Sequence, residues 1–361
     1  MARAPLIGAA VAVVVGFALG PVGAGAQARV TTVAALAPPQ FPEGLAVDAQ
    51  GNVYLGFAPT GEIRRLAPGG AQSTLATLRP GEGILLGLAV DAQGTVYAAL
   101  NSANSPNSDA HGVWRIGRDG ARSLLAALPP NGVPNGLALD ARGNVYVADS
   151  ALGTIWRVTP QGAVSAWVEH PLLRGGRDAC PPGELPFDVG VNGIAFDRRG
   201  DLYAAVMDRG LIVRVPVNRD GSAGAPVVFA GPDCANLEGA DGIAFDALGN
   251  LYVAVNHKNT VVRLTPAGRL DTLATGADGL DFPATVAFAR PGGQGDLYLA
   301  NFAFVSGDAA RPSLMRLAVA APGALPRTGG GPGAVGLAGA AAAAGAGLAL
   351  AGWGARARRR R

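Results

Sequence analysis

The sequence predicts an all-β fold, a closed six-bladed β-propeller, and three observations carry that prediction. A short phrase recurs along the chain, its copies start at the spacing of a four-stranded blade, and an isolated strand at the front supplies what the last copy lacks.

The phrase reads GLAVDAQGNVYLGF from Gly44, GLAVDAQGTVYAAL from Gly87 and GLALDARGNVYVAD from Gly136. It continues as GIAFDRRGDLYAAV from Gly193 and GIAFDALGNLYVAV from Gly242, with a decayed copy, TVAFARPGGQGDLYLAN, from Thr285. Successive starts lie 43, 49, 57, 49 and 43 residues apart.

Each unit parses alike. An apolar strand (Gly-Leu-Ala-Val-Asp) meets an Asp-x-x-Gly turn, in which Gly supplies a positive φ, so Asp48, Asp91, Asp140, Asp197 and Asp246 read as structural. A second strand (Val-Tyr-Val-Ala) and a loop follow. The third strand is Glu62 to Leu66 in the first unit and Thr154 to Val158 in the third; the fourth is typified by Ser73 to Leu78. Short β-rich runs with turn signals at this spacing leave no room for helices. The sixth unit ends after its third strand, and Val30 to Leu36 is expected to complete it, closing the ring without a long unpaired edge.

The ends read as processing signals. Residues 1–28 have one positive charge, an apolar run from Leu6 to Leu19 and small residues at two acceptable cleavage sites, as a secretory signal peptide does. The propeller is expected over residues 29–320. Beyond it, Leu325-Pro326-Arg327-Thr328-Gly329 precedes an apolar stretch from Gly333 to Trp353 and a terminal cluster of arginines. This order resembles the LPxTG sorting signal of Gram-positive-type cell surfaces. The resemblance implies sortase cleavage after Thr328 and attachment of Thr328 to a cell-wall precursor; the alternative is a plain membrane-anchor helix. The protein is expected to be exported and held at the surface as a monomer.

These ends carry six of the 29 basic residues and none of the 26 acids, so the formal charge of +3 becomes negative on processing. A nucleic-acid partner is therefore not expected. The two cysteines, Cys180 and Cys234, are expected to form one disulfide in an exported protein.

In an up-and-down blade, the loops entering the first strand and joining strands two and three share a face. That face carries the long loops, including 101–111, 170–191 and 302–312, and is the expected functional face. The residues just before each phrase are Glu43, Leu86, Asn135, Asn192, Asp241 and Ala284. They should converge on one mouth, where oxygen ligands suit a hard cation such as Ca²⁺. Asn or Asp before Gly also serves ordinary turns, and both readings stand at this point.

PEGLAVD, PNGLALD, VNGIAFD and ADGIAFDALGNLYVAV, with VADSALGTIWRVTPQG from Val147, resemble the gluconolactonase, senescence-marker-protein and luciferin-regenerating-enzyme family, with motifs shared in part by NHL-type propellers. The resemblance implies one divalent cation on Glu43, Asn192 and Asp241, with Ca²⁺ expected and Zn²⁺, Mn²⁺ or Mg²⁺ as alternatives. It places Asn135 on the substrate. The sequence departs from the family in the generic Gly-Leu after Glu43 and in lacking an evident substrate-contacting Arg near Asn135.

The expected activity is metal-dependent hydrolysis of a lactone or ester. The cation would polarise the carbonyl, Asp241 would act as base, and His257 would help Asn135 orient the substrate. The alternative is a non-catalytic surface propeller binding a ligand or wall component. A lyase-type reading is disfavoured, because no histidine–glutamate pair is visible in the sequence. His111 and His170 read as plain loop histidines.

Overall fold

The computed structural model describes residues 29–78, 83–102, 110–176, 178–181, 188–290 and 292–319. The chain divides into Met1–Val319 and Ala320–Arg361, and all described residues fall in the first unit. The signal peptide, the LPRTG segment, the apolar stretch after Gly333 and the basic tail lie outside them. Among the described residues no helix is long and apolar enough to cross a membrane.

Six four-stranded antiparallel sheets form the propeller, with strands numbered in chain order. The first blade comprises β2 (Pro42–Val47), β3 (Val53–Phe57), β4 (Glu62–Leu66) and β5 (Gln72–Thr77). The innermost strands of the others are β6 (Ile84–Val90), β10 (Pro134–Leu139), β14 (Val191–Phe196), β18 (Ala240–Phe245) and β22 (Pro283–Arg290). The fourth strand of blade one starts one residue earlier than its composition indicates, at Gln72. No α-helix occurs among the described residues, only short 3₁₀ turns.

Ring closure follows the expected route. The N-terminal strand β1 (Val30–Ala35) pairs antiparallel with β24 (Ser313–Leu317), so the last sheet runs β1-β24-β23-β22, with β23 at Gln294–Asn301. Val30 lies opposite Leu317 and Ala35 opposite Ser313. Joining the first strand to the last blade leaves every sheet with its full complement of strands.

The Asp-x-x-Gly turns are structural. Asp48 Oδ1 accepts from the backbone N–H of Gln50 and Asn52, and its Oδ2 accepts from Asn52 Nδ2 at 2.7 Å and Tyr54 Oη at 3.0 Å. Asp140 and Asp246 repeat all four bonds. The blade tyrosine is thus pinned by its hydroxyl, while its ring packs between blades. Tyr146 meets Trp167 and Phe196 edge-on, each at 5.0 Å, a geometry that adds about 0.5–1.5 kcal/mol per pair beyond burial.

Candidate active site

The residue preceding each phrase sits in a β-bulge of the innermost strand. The ladder shifts register between Pro42 and Gly44, Pro134 and Leu137, Val191 and Ile194, and Ala240 and Ile243. Glu43, Asn135, Asn192 and Asp241 fall inside these bulges, which free a side chain from the pleat and re-aim it. They occupy strands rather than turns, so turn preference does not account for their identity.

The glycines that follow serve close approach. A Cβ at Gly136 would lie 2.3 Å from the Asn192 carbonyl oxygen, and one at Gly193 would lie 2.2 Å from that of Asp241. Each glycine lets the neighbouring blade bring its own ring residue up to the axis.

Glu43, Asn135, Asn192 and Asp241 line one cavity of about 320 Å³, together with Leu86. All four polar residues are at least nine-tenths buried. Ala284 does not line it. A second tier comes from the residue that ends or follows each second strand: Ala58, Asn101, Ser150, Met207, Asn256 and Phe302. Sequence reasoning missed this tier. Its signal was available, because each residue stands five positions after the Val or Leu that opens the Val-Tyr or Leu-Tyr phrase.

The polar groups at the centre are mostly acceptors. Asn256 Nδ2 donates to Asp241 Oδ2 at 3.1 Å, and Asn192 Nδ2 donates to Met207 Sδ at 3.6 Å. With both amide nitrogens engaged, the buried Asn192 Oδ1, Asn256 Oδ1 and Glu43 Oε2 have no hydrogen-bond partner. Burial pushes the Glu43 carboxyl well above the usual carboxylate range, and nearby Asp241 pushes it further. Burial likewise pushes Asp241 up to about 8, against the opposing bond from Asn256. No Lys, Arg or His lines the cavity among the described residues.

Buried acceptors with no donor and no counter-charge fit a hard divalent cation, which accepts carboxylate and amide oxygens together. The donor set differs from a zinc centre. No group of three or more His, Cys, Asp or Glu able to hold a metal occurs among the described residues, so a cation here would rest on the Glu43 and Asp241 carboxylates together with amide oxygens.

His257 does not line the cavity. Its side chain is 4% exposed, its Nδ1 lies 2.5 Å from Glu238 Oε1, and its ring sits 5.7 Å from Phe282, which does line it. Lys258 Nζ takes the other Glu238 oxygen at 2.7 Å. The expectation that no histidine–glutamate pair exists is therefore corrected: the partner, Glu238, lies 19 positions upstream, on the loop entering β18, where sequence spacing gives no cue. His111 is buried, with Nδ1 accepting from Ser102 N–H, and burial lowers its pKa. His170 Nδ1 accepts from Leu172 N–H to cap a 3₁₀ turn.

Cys180 and Cys234 form a disulfide. It ties the segment leading to β14 to the one leading to β18, the strands that carry Asn192 and Asp241.

The fold and site define a six-bladed propeller with an acidic, acceptor-rich central cavity. The family model of the SMP-30/gluconolactonase/LRE-like region matches residues 188–301, which hold Asn192, Asp241, Asn256 and Phe282. The model of the strictosidine synthase-like N-terminal region matches residues 28–66, which hold Glu43. No curated protein sequence matches the chain. Regucalcin from Agrobacterium tumefaciens, a calcium-binding protein, has a similar structure with a TM-score of 0.57 at 18% identity, covering 78% of this chain and 90% of its own. A gluconolactonase from Xanthomonas campestris gives 0.58 at 18% identity, covering 80% and 89%. A catalytically inactive histidine-to-alanine variant of virginiamycin B lyase from Staphylococcus aureus, solved with quinupristin, gives 0.55 at 16%, covering 79% and 82%. At these identities the likeness is one of fold.

Proposed function

We propose that the protein is a divalent-cation-dependent hydrolase of lactones, working from Glu43, Asn192 and Asp241. One observation carries the reading: buried acceptor oxygens of Glu43, Asn192 and Asn256 stand without donors in the cavity that also holds Asp241. Two carboxylates confined together cannot both ionise without a counter-charge, and the lining residues supply none. The gluconolactonase-like match over 188–301 supports the same reading.

Glu43, Asn192 and Asp241 would hold the cation, Ca²⁺ by the chemistry of the donors. When bound, it supplies Lewis-acid polarisation of the substrate carbonyl, an effect of several kcal/mol. Asp241, its Oδ2 held by Asn256, takes the proton from the attacking water. The water oxygen adds to the carbonyl carbon, the ring C–O bond breaks, and the departing alkoxide recovers the proton from Asp241. Asn135, on the same wall, offers an amide to the substrate's ring oxygens.

The test is hydrolysis of a lactone panel with and without chelator, beside Asp241→Asn. Loss of turnover on both changes, with restoration by Ca²⁺ after chelation, supports the reading. Turnover that survives both overturns it.

Export and surface attachment belong to the same proposal, supported by the order of the terminal signals and by a disulfide, which persists in oxidising compartments. Thr328→Ala should shift the protein out of the cell-wall fraction; an unchanged distribution would contradict sortase attachment.

A further inference from the structure

We infer that the substrate is amphiphilic, a lactone or ester bearing an alkyl or aryl tail rather than a polyhydroxylated sugar lactone. The inference rests on the hydrolase reading for the reacting head alone; the tail site stands on separate observations.

One wall of the cavity is largely apolar. Phe302, Phe304, Ala58, Pro59, Ile84 and Leu86 come from blades six, one and two, which also contribute the polar Glu43 and Asn101; Asn135, Asn192, Asp241 and Asn256 come from blades three, four and five, beside Val189 and Met207. Phe282, just before blade six, extends the apolar wall. Phe302 and Phe304 stack at 5.1 Å, and Phe41, two residues from Glu43, meets both edge-on. At the rim, Phe304 is 51% and Ile84 46% exposed. Large apolar side chains left in water beside a cavity mark a surface that something covers.

The backbone adds an independent sign. The non-glycine residues with positive φ among the described residues are Asn259, Phe282 and Ala303; Phe282 lines the cavity, Asn259 bonds its backbone, and Ala303 stands between Phe302 and Phe304. A bulky residue such as Phe282, at φ 49°, is an outlier that surrounding structure must enforce. Asn259 Oδ1 accepts from Phe282 N–H at 2.7 Å, and Asp281 O accepts from Ala303 N–H at 2.9 Å. Ser306 Oγ donates to Asp281 Oδ1. Hydrogen bonds therefore hold left-handed backbone at Phe282 and Ala303, where the chain delivers Phe282, Phe302 and Phe304 to the cavity.

A tail lying on this wall keeps the attached carbonyl within the cavity that Asp241 also lines. A polyol there would set its hydroxyls against carbon without partners, an unfavourable exchange.

The test measures kcat/KM for γ-butyrolactone, γ-octalactone, γ-decanolactone and glucono-δ-lactone with Ca²⁺ present. In parallel, calorimetry follows γ-decanolactone binding to chelated Asp241→Asn protein, which needs no turnover. Each methylene that reaches the wall is expected to raise kcat/KM up to about fourfold, the equivalent of about 0.8 kcal/mol. Phe304→Ala, a change at an exposed ring that leaves the core intact, should flatten this slope and weaken γ-decanolactone binding several-fold. Glucono-δ-lactone turned over with no gain along the alkyl series overturns the inference and leaves the hydrolase reading standing. γ-Decanolactone binding weakened by Phe304→Ala without turnover of any lactone supports the apolar site and removes the hydrolase reading. Neither binding nor turnover overturns both.

Discussion

Asn256 Nδ2 donates to Asp241 Oδ2 at 3.1 Å, linking the end of the second strand of blade five to the bulge of its first. The bond fixes the carboxylate and turns the Asn256 amide oxygen away, where it is buried without a donor. The two residues therefore act differently on the same centre. Asp241→Asn removes the base and a charge and should lower lactone turnover by at least about a hundredfold. Asn256→Ala should lower it less, about tenfold, and weaken Ca²⁺ affinity, as loss of a group orienting a ligand does. Steady-state kinetics across a Ca²⁺ titration separates the effects.

Stability in chelator should fall as pH rises. Both Glu43 and Asp241 have pKa values raised in the fold, so the folded protein retains protons that the unfolded chain has released. Where the unfolded state binds fewer protons, stability decreases with pH. The loss should run from the ordinary carboxylate range near pH 4 to about 8, the value to which Asp241 is pushed. Urea midpoints in chelator will show it. Asp241→Asn should reduce the slope, and Ca²⁺ should stabilise more at the alkaline end.

Gly193→Ala should unfold or strongly destabilise the ring. Its Cβ would lie 2.2 Å from the Asp241 carbonyl oxygen, a backbone atom that cannot step aside. Overpacking of this kind costs about 1–3 kcal/mol or more, and the cost here falls on the blade contact that positions Asn192 and Asp241. Thermal unfolding checks the first effect, Ca²⁺ titration the second.

Reduction of the Cys180–Cys234 bridge should lower stability by about 2–4 kcal/mol, since it closes a loop spanning 54 positions. Reducing and non-reducing denaturant melts will measure it. A Cys180→Ser, Cys234→Ser double variant should match the reduced protein.

The propeller was legible because its information is local and repeated. A turn aspartate, a pinned tyrosine and an axial glycine recur at fixed offsets, and each is explained by a bond or close approach within its own or the next blade. The inner tier of the cavity was legible for the same reason: Glu43, Asn135, Asn192 and Asp241 share one offset. Asn256 and Met207 share another, which went unread because Ala, Asn, Ser, Met, Asn and Phe show no common chemistry in sequence. Glu238 and His257 meet across unrelated loops. The aromatic wall depends on left-handed backbone at Phe282 and Ala303, which composition does not announce.

Glu43, Asn192 and Asp241 should together grip one divalent cation. Calorimetric titration of Ca²⁺ into chelated wild-type protein, Glu43→Gln and Asp241→Asn decides the matter. A single saturable site is expected in the wild type, weakened at least about tenfold in each variant. Ca²⁺ binding of equal strength in all three proteins, or none in the wild type, would contradict it.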